Sequence, residues 1–231
     1  MKSTNDFTKL EKKINVKFKN KNLLKQALVH RSFINENVGF DLDNNERLEF
    51  LGDAVLELIV TEYLYKNYKN QEGELTNWRA ALVKREMLAK IAKKISIGEY
   101  LYLSKGESKT GGQSRGLILA NALEALIGAI YIDSGTEVTK KFLEENLLTE
   151  MKDILKNKLY IDPKSKLQEL SQGTKSLTPK YQVLSEYGPD HNKSFTVGVY
   201  LNDKLIGQGS GSSKQAAEQS AASSALEGWQ E

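Results

Sequence analysis

The hydrophobic period of this chain changes once, near Ile161, and that change limits the folds open to it. Before it, apolar residues recur at the helical spacing of three to four positions. Beyond it, Phe195, Val197, Val199 and Leu201 alternate with Thr196, Gly198 and Tyr200. Period two places alternate side chains on opposite faces of a strand. All three prolines, Pro163, Pro179 and Pro189, also lie beyond the change. At 231 residues the chain exceeds the usual single-domain size of about 100–150. The expectation is an α+β chain of two domains, all-helical over residues 1–157 and mixed over 162–230.

In the first part, periodicity predicts helices over residues 22–30, 46–68, 75–95 and 117–133, and after a break at Gly135 over 138–155. The Gly-, Ser- and Lys-rich stretch 106–116 is expected to be a mobile loop. In the second part the order is α-β-β-β-α. A helix over 164–172 precedes strands at 181–184, 195–201 and 205–208, with a turn at 188–191. Ser212 or Ser213 then caps a last helix through Ala216, Ala221 and Leu226.

The segment Asn45-Glu46-Arg47-Leu48-Glu49-Phe50-Leu51-Gly52-Asp53 sets Glu46, Glu49 and Asp53 on one helical face. Like charges at this spacing repel, and a divalent cation reverses the sign, because Mg²⁺ takes hard oxygen ligands. The plain alternative is a solvated acidic stripe with Arg47 as counter-ion. The flanking Leu48, Phe50, Leu51, Val55, Leu56, Leu58, Ile59 and Val60 imply instead a helix buried on most sides, whose acids need a partner. A second pair, Asn121 and Glu124, is three residues apart and leaves one face of a helix rich in small residues. Taken alone, it is equally compatible with a packed helix holding one satisfied Glu.

Composition excludes several classes. The chain has no cysteine, so it has neither disulfides nor a thiolate zinc site. Its net charge of +3 is too small to announce a polyanionic partner. The polar start, Met1 to Asp6, lacks an apolar signal region. No stretch is expected to supply the roughly 20 apolar residues that cross a bilayer, so a cytoplasmic protein without a membrane partner is the default. The Gly-rich run Gly207 to Lys214 lacks a Gly-Lys-Ser/Thr ending, and no nucleotide cofactor is expected. His30 and His191 are isolated and read as packing or hydrogen-bonding residues.

Together these motifs resemble bacterial ribonuclease III over nearly the whole chain. Residues 45–56 are similar to the family's signature stretch, 120–133 to its second acidic helix, His30-Arg31-Ser32-Phe33 to an N-terminal helix end, and 162–226 to its double-stranded RNA-binding domain. The resemblance implies a helical endonuclease domain acting as a symmetric homodimer. It implies that Glu49, Asp53 and Glu124 hold Mg²⁺, with Asp53 and Glu124 catalytic, joined by an Asp where this chain has Asn121. Glu46 and Glu72 would line the RNA cleft, and Phe50 would enter a socket on the partner subunit. The implied products are 5′-phosphates and staggered cuts with two-nucleotide 3′ overhangs, in processing of ribosomal and messenger precursors. Two Mg²⁺ ions about 3.5–4 Å apart suffice for such phosphodiester hydrolysis.

The resemblance also implies that Gln168 and Glu169 reach one minor groove, that Pro189, Asp190 and His191 enter the next, and that Ser212, Ser213 and Lys214 meet phosphate. Domains of this kind read shape across about 16 base pairs.

Two departures stand out. Asn121 keeps a coordinating oxygen but brings no charge, which weakens metal binding. A catalytically weak or inactive double-stranded RNA-binding protein on the same scaffold is therefore the alternative reading. From Asp162 onward, seven lysines face eight acids, leaving −1 where phosphate contacts ordinarily dominate affinity. Isolated binding by this part should be weak, so avidity from a dimer should matter. In the first part Lys69, Arg79, Lys84, Arg85, Lys105, Lys109 and Arg115 are candidates to line the cleft, or plain solvated surface.

Overall fold

The structure is a computed structural model that describes residues 7–189 and 193–229, with only the backbone of Lys175. The chain forms two compact units, Met1–Tyr160 and Ile161–Glu231. The first is helical throughout its regular elements: α1 (Thr8–Ile14), α2 (Lys21–Ala27), α3 (Arg31–Glu36), α4 (Glu46–Asn67), α5 (Glu72–Val83), α6 (Arg85–Lys94), α7 (Lys105–Lys109), α8 (Gly116–Asn146) and α9 (Met151–Lys156). The second runs α10 (Pro163–Lys175), β1 (Lys180–Tyr187), β2 (Ser194–Leu201), β3 (Lys204–Gly211) and α11 (Lys214–Glu227). This is the expected class, an all-α unit followed by α-β-β-β-α.

The first unit is organised around α8, which packs on α4, α6 and α2. From Ile118 to Ile130 almost every residue of α8 is buried, as expected of a helix that is apolar all round. This corrects one expectation: a stretch of α8 is long and apolar enough to cross a bilayer by length and composition. Its apolar surface is largely spent inside the unit, because α8 has neighbours on several sides. Gly135, at φ 80° and ψ −176°, interrupts the helix where the sequence placed a break. Just before it, Asp133 accepts the backbone N–H groups of Lys19 (3.0 Å) and Asn20 (2.7 Å), tying the chain ahead of α2 to α8.

Where α4 crosses α8 the backbones nearly touch. A Cβ on Gly52 would lie 1.8 Å from the Glu124 carbonyl oxygen, and one on Gly128 would lie 2.3 Å from that of Leu48. Only glycine permits this approach, and α4 buries Leu48, Val55, Leu56, Ile59, Val60 and Leu64 around it.

Three expectations change. The helix foreseen over 75–95 is two, because Lys84 turns extended (ψ 148°), ending α5 and opening α6. The loop foreseen as mobile is folded: Ser104 caps α7 by accepting the Glu107 N–H, and Arg115 reaches back to Glu107 (2.8 Å) and Thr110 (3.3 Å). Nor is α4 buried on most sides. Phe50 (82%), Leu58 (67%) and Tyr65 (76%) are exposed, and spacings of eight and seven residues put them on one face.

In the second unit the strands form an antiparallel sheet in the order β1-β2-β3. Val197 and Val199 pack with Leu167 against Ala217, Ala221, Ala222 and Ala225 of α11. The Gly-rich run that resembles no phosphate loop belongs to this packing, since a Cβ on Gly209 would fall 2.2 Å from the Ala221 nitrogen. Pro163 opens α10 behind Asp162, whose carboxylate accepts the Ser165 N–H at 2.8 Å. Of the sequence-stretch 188–191, Asp190 and His191 lie outside the described residues.

Gly52→Ala should lower the stability of the full chain by about 3 kcal/mol, because the added methyl runs into the α8 backbone at Glu124 and Gly128. Thermal unfolding followed by circular dichroism reads this directly. A melting temperature equal to that of the wild type would contradict the close crossing.

Candidate active site

The α4–α8 crossing determines which carboxylates meet. Glu49 and Asp53 flank Gly52 on α4, while Asn121 and Glu124 lie one to two turns before Gly128 on α8. Glu49, Asn121 and Glu124 are half-buried, and Asp53 is exposed. Burial pushes the Glu49 carboxyl up, a side-chain hydrogen bond from Asn121 pulls it down, and Glu46 and Asp53 push it up again. The Glu124 carboxyl is raised to about 7, first by burial, then by Asp53 and Glu49, with Arg85 opposing. The structure thus brings Glu49, Asp53, Asn121 and Glu124 into one neighbourhood. Among the described residues, no three acids or histidines are drawn into a closed metal-ligand set. Carboxylates facing one another without a counter-ion repel.

The donors present fit a hard cation. Three carboxylates and an amide oxygen supply only oxygen ligands, the preference of Mg²⁺. The Glu124 carboxyl is elevated by burial first and by Asp53 and Glu49 second, and a cation beside it would favour its charged form against both. Asn121 brings an NH₂ donor to Glu49 where a carboxylate would add repulsion.

Glu46 borders this group. It sits at the first turn of α4, exposed, and pairs with Arg31 at 3.1 Å. Its backbone N–H is accepted by the Asn44 side chain at 3.0 Å. Arg31 is the partner that sequence reading did not single out, and only tertiary folding sets the start of α3 beside α4. Beside it, His30 caps α3, its Nδ1 2.8 Å from the Ser32 hydroxyl, and burial lowers its pKa. That is the hydrogen-bonding role expected of it.

Glu72 stands apart, at the start of α5, accepting the Thr76 hydroxyl at 3.1 Å. It lines a cavity of about 700 Å³ with Tyr65, Tyr68, Lys69 and Arg79. Phe50 lines another, of about 610 Å³, with Leu23, Leu51 and Ile132. Of the basic residues considered for the cleft, Arg79 pairs with Glu57 (3.0 Å) and Arg115 with Glu107 (2.8 Å), whereas Arg85 acts on Glu124.

In the second unit Gln168 and Glu169 are exposed on α10, Glu169 3.9 Å from Lys166. Pro189 is exposed. Ser212 is exposed, and Ser213 is the N-cap of α11, its Oγ accepting the Ala216 N–H at 3.1 Å. Lys214, beside it, is not a free cation: it meets Glu186 at 3.4 Å.

An all-helical unit with acids gathered where two helices cross, followed by an α-β-β-β-α unit, defines a nuclease-type domain joined to an RNA-binding one. Residues 20–151 match the profile described as ribonuclease-III-like, and residues 163–228 that of the double-stranded RNA binding motif. The chain belongs to the ribonuclease III family. It is 46% identical over 223 residues to ribonuclease 3 of Dehalococcoides mccartyi, spanning 96% of this chain and 94% of that protein. With ribonuclease 3 of Campylobacter fetus it shares 47% over 221 residues, 95% and 96% of the two chains. Among solved structures, the nuclease domain of ribonuclease III from Campylobacter jejuni superposes with a TM-score of 0.56 at 45% identity, covering 61% of this chain and 94% of that one. That structure is described as showing flexibility in a region involved in dimer formation.

Glu124 titrates at about 7 in the fold against an ordinary 4.5, so its ionisation opposes folding as pH rises through that window. In chelating buffer at pH 8, Glu124→Gln should therefore melt about 2–4 °C above the wild type, and the gap should close near pH 4.5. A variant that melts lower at pH 8 would contradict the like-charge cluster.

Proposed function

We propose that this chain is an endoribonuclease that hydrolyses double-stranded RNA in a Mg²⁺-dependent reaction. One observation carries the reading: Asp53 and Glu49 of α4 both raise the half-buried Glu124 carboxyl of α8 at the α4–α8 crossing. Glu49, Asp53, Glu124 and the amide oxygen of Asn121 would hold the metal. When bound, Mg²⁺ supplies charge neutralisation and an activated water for attack on phosphorus. The chain's own residues do the rest. Glu124 and Asp53 act as the catalytic carboxylates, and Glu46, oriented by Arg31, and Glu72 face the RNA cleft. Gln168, Glu169, Pro189, Asp190, His191, Ser212, Ser213 and Lys214 form the duplex-binding surface. The products follow the family pattern, 5′-phosphates and two-nucleotide 3′ overhangs, in ribosomal and messenger precursor processing.

The working form is a homodimer. The exposed row Phe50, Leu58 and Tyr65 supports this, as does the cavity of about 610 Å³ beside Phe50, with Leu23, Leu48, Leu51 and Ile132 in its lining and room for more than one aromatic ring. Phe50→Asp should shift the chain from dimer to monomer in sedimentation velocity runs at micromolar concentration. Persistence of the dimer would place the interface elsewhere.

Asn121 favours a second reading, a double-stranded RNA-binding protein that does not cleave. Incubation with a labelled duplex separates the two. Cleavage in Mg²⁺, with binding alone in Ca²⁺, is the expected result, and binding alone in both ions would establish the second reading. Asn121→Asp should lower the Mg²⁺ concentration needed for half-maximal rate, by severalfold, since it adds a charged ligand. Equal metal dependence of the two proteins would remove this position from the metal site.

A further inference from the structure

The second unit carries net −1, yet its placement of charge is uneven. Lys193, just ahead of β2, and Lys214, the first residue of α11, both reach one carboxylate, Glu186 near the end of β1, each at 3.4 Å. The sheet register explains the convergence. Glu186 pairs with Phe195 across β1 and β2, and Phe195 pairs with Gly211 across β2 and β3. Both ammonium groups also lie near the Phe195 ring, 5.9 Å and 5.7 Å from its centroid. The three charged side chains keep between a third and three-fifths of their surface open to solvent. Burial pushes the Glu186 carboxyl up, but its bonds to Lys214 and Lys193 prevail and hold it below the ordinary range.

A polyanion approaching the start of α11 meets two ammonium groups that share the Glu186 carboxylate. We infer that Glu186 is a built-in phosphate mimic, masking Lys193 and Lys214 until an RNA phosphate replaces it. The inference rests on the RNA-binding reading of this unit. Exposed ion pairs of this kind are weak, so a phosphate of the duplex can displace the carboxylate. Displacement leaves the carboxylate near the RNA, where it repels the strand. The mask therefore lowers affinity for every duplex, and one that also engages the exposed face of α10 best offsets that cost. Lys164 offers a comparison on another face: it pairs with Glu218 of α11 and lies 4.8 Å from the Tyr181 ring centroid, so it bridges α10, α11 and β1 and not the start of α11.

The test measures binding of the full chain to a labelled RNA duplex of about 20 base pairs, longer than one such domain spans. Chelator is present so that the duplex stays intact, and salt is varied. Glu186→Gln should bind about two- to fivefold tighter at low salt, with the logarithmic salt slope steeper by about one. Glu218→Gln, the same change in net charge at the Lys164 pair, should leave affinity unchanged. Glu186→Gln combined with Lys214→Gln should lose the gain, and circular dichroism confirms that each variant is folded. Equal or weaker binding by Glu186→Gln would overturn the mask, weaker binding showing that the carboxylate positions the lysines instead. An equal gain in Glu218→Gln would overturn it as well, leaving only net charge. A wild-type chain that binds no duplex would remove the RNA-binding reading and the mask together.

Discussion

The contact between Gly52 and Gly128 is the constraint on which the first unit depends. Helices normally pack 8–10 Å apart because side chains separate them. Here a Cβ at either glycine would strike backbone of the other helix, so α4 and α8 are nearer at this point than side chains allow. The acids stand within one or two turns of that point. The close crossing shortens the distance between acids of the two helices, and Asp53 and Glu49 both raise Glu124. Removing the glycines would not only strain the core. It would also separate the charges that give the site its character.

Holding such charges together works against folding, and the surrounding residues show how the chain limits the penalty. Arg85, at the start of α6, offsets part of the Glu124 shift, and Arg31 neutralises Glu46. Asn121 contributes from within. A carboxylate at that position would bring a further negative charge against Glu49, while the amide donates a hydrogen bond to it. In the proposed metal site, Asn121 gives up ligand charge and favours the metal-free fold, the direction in which functional sites and stability commonly oppose each other. On this view Asn121 is compatible with catalysis as long as the remaining carboxylates supply the charge.

Much of this was legible in the residues. The change of period at Ile161 announced the two architectures, and the i, i+3 and i+4 spacing of the acids announced a shared face. What the sequence could not convey was which apolar residues of α4 face inward. Phe50 and Leu58 are as apolar as Leu56 and Ile59, and hydrophobicity alone places all four on a helix buried on most sides, a reading that leaves out the exposed Tyr65. The spacing of Phe50, Leu58 and Tyr65 by eight and seven residues was the available signal, since it places them together on a face separate from Leu48, Val55 and Ile59. The break at Lys84 left no such trace, because Lys is a sound helix former and only the turn of the chain demands an extended residue there. Likewise the Gly- and Ser-rich stretch after Ser104 reads as a loop by composition, but the Arg115 contacts to Glu107 and Thr110 order it. Such contacts depend on side chains meeting in space, which composition does not encode.

The two units use carboxylates in opposite senses, and this resolves the apparent contradiction of an RNA-binding domain with a net charge of −1. In the first unit, Glu49, Asp53 and Glu124 are gathered with Arg85 as a partial counter-charge, an arrangement that the proposed function pairs with an external cation. In the second, one acid is placed where it satisfies two lysines, which leaves no demand until a competing anion arrives. Net charge sums over both kinds of placement and so distinguishes neither. What an approaching phosphate responds to is the local arrangement within about a Debye length of 8–10 Å. Within that distance of Glu186 stand Lys193 and Lys214, while the capped start of α11 adds the positive end of the helix dipole. Two lysines thus converge on one carboxylate although the unit as a whole carries more acids than lysines, and a duplex that binds through shape and a few phosphates draws on such local placement.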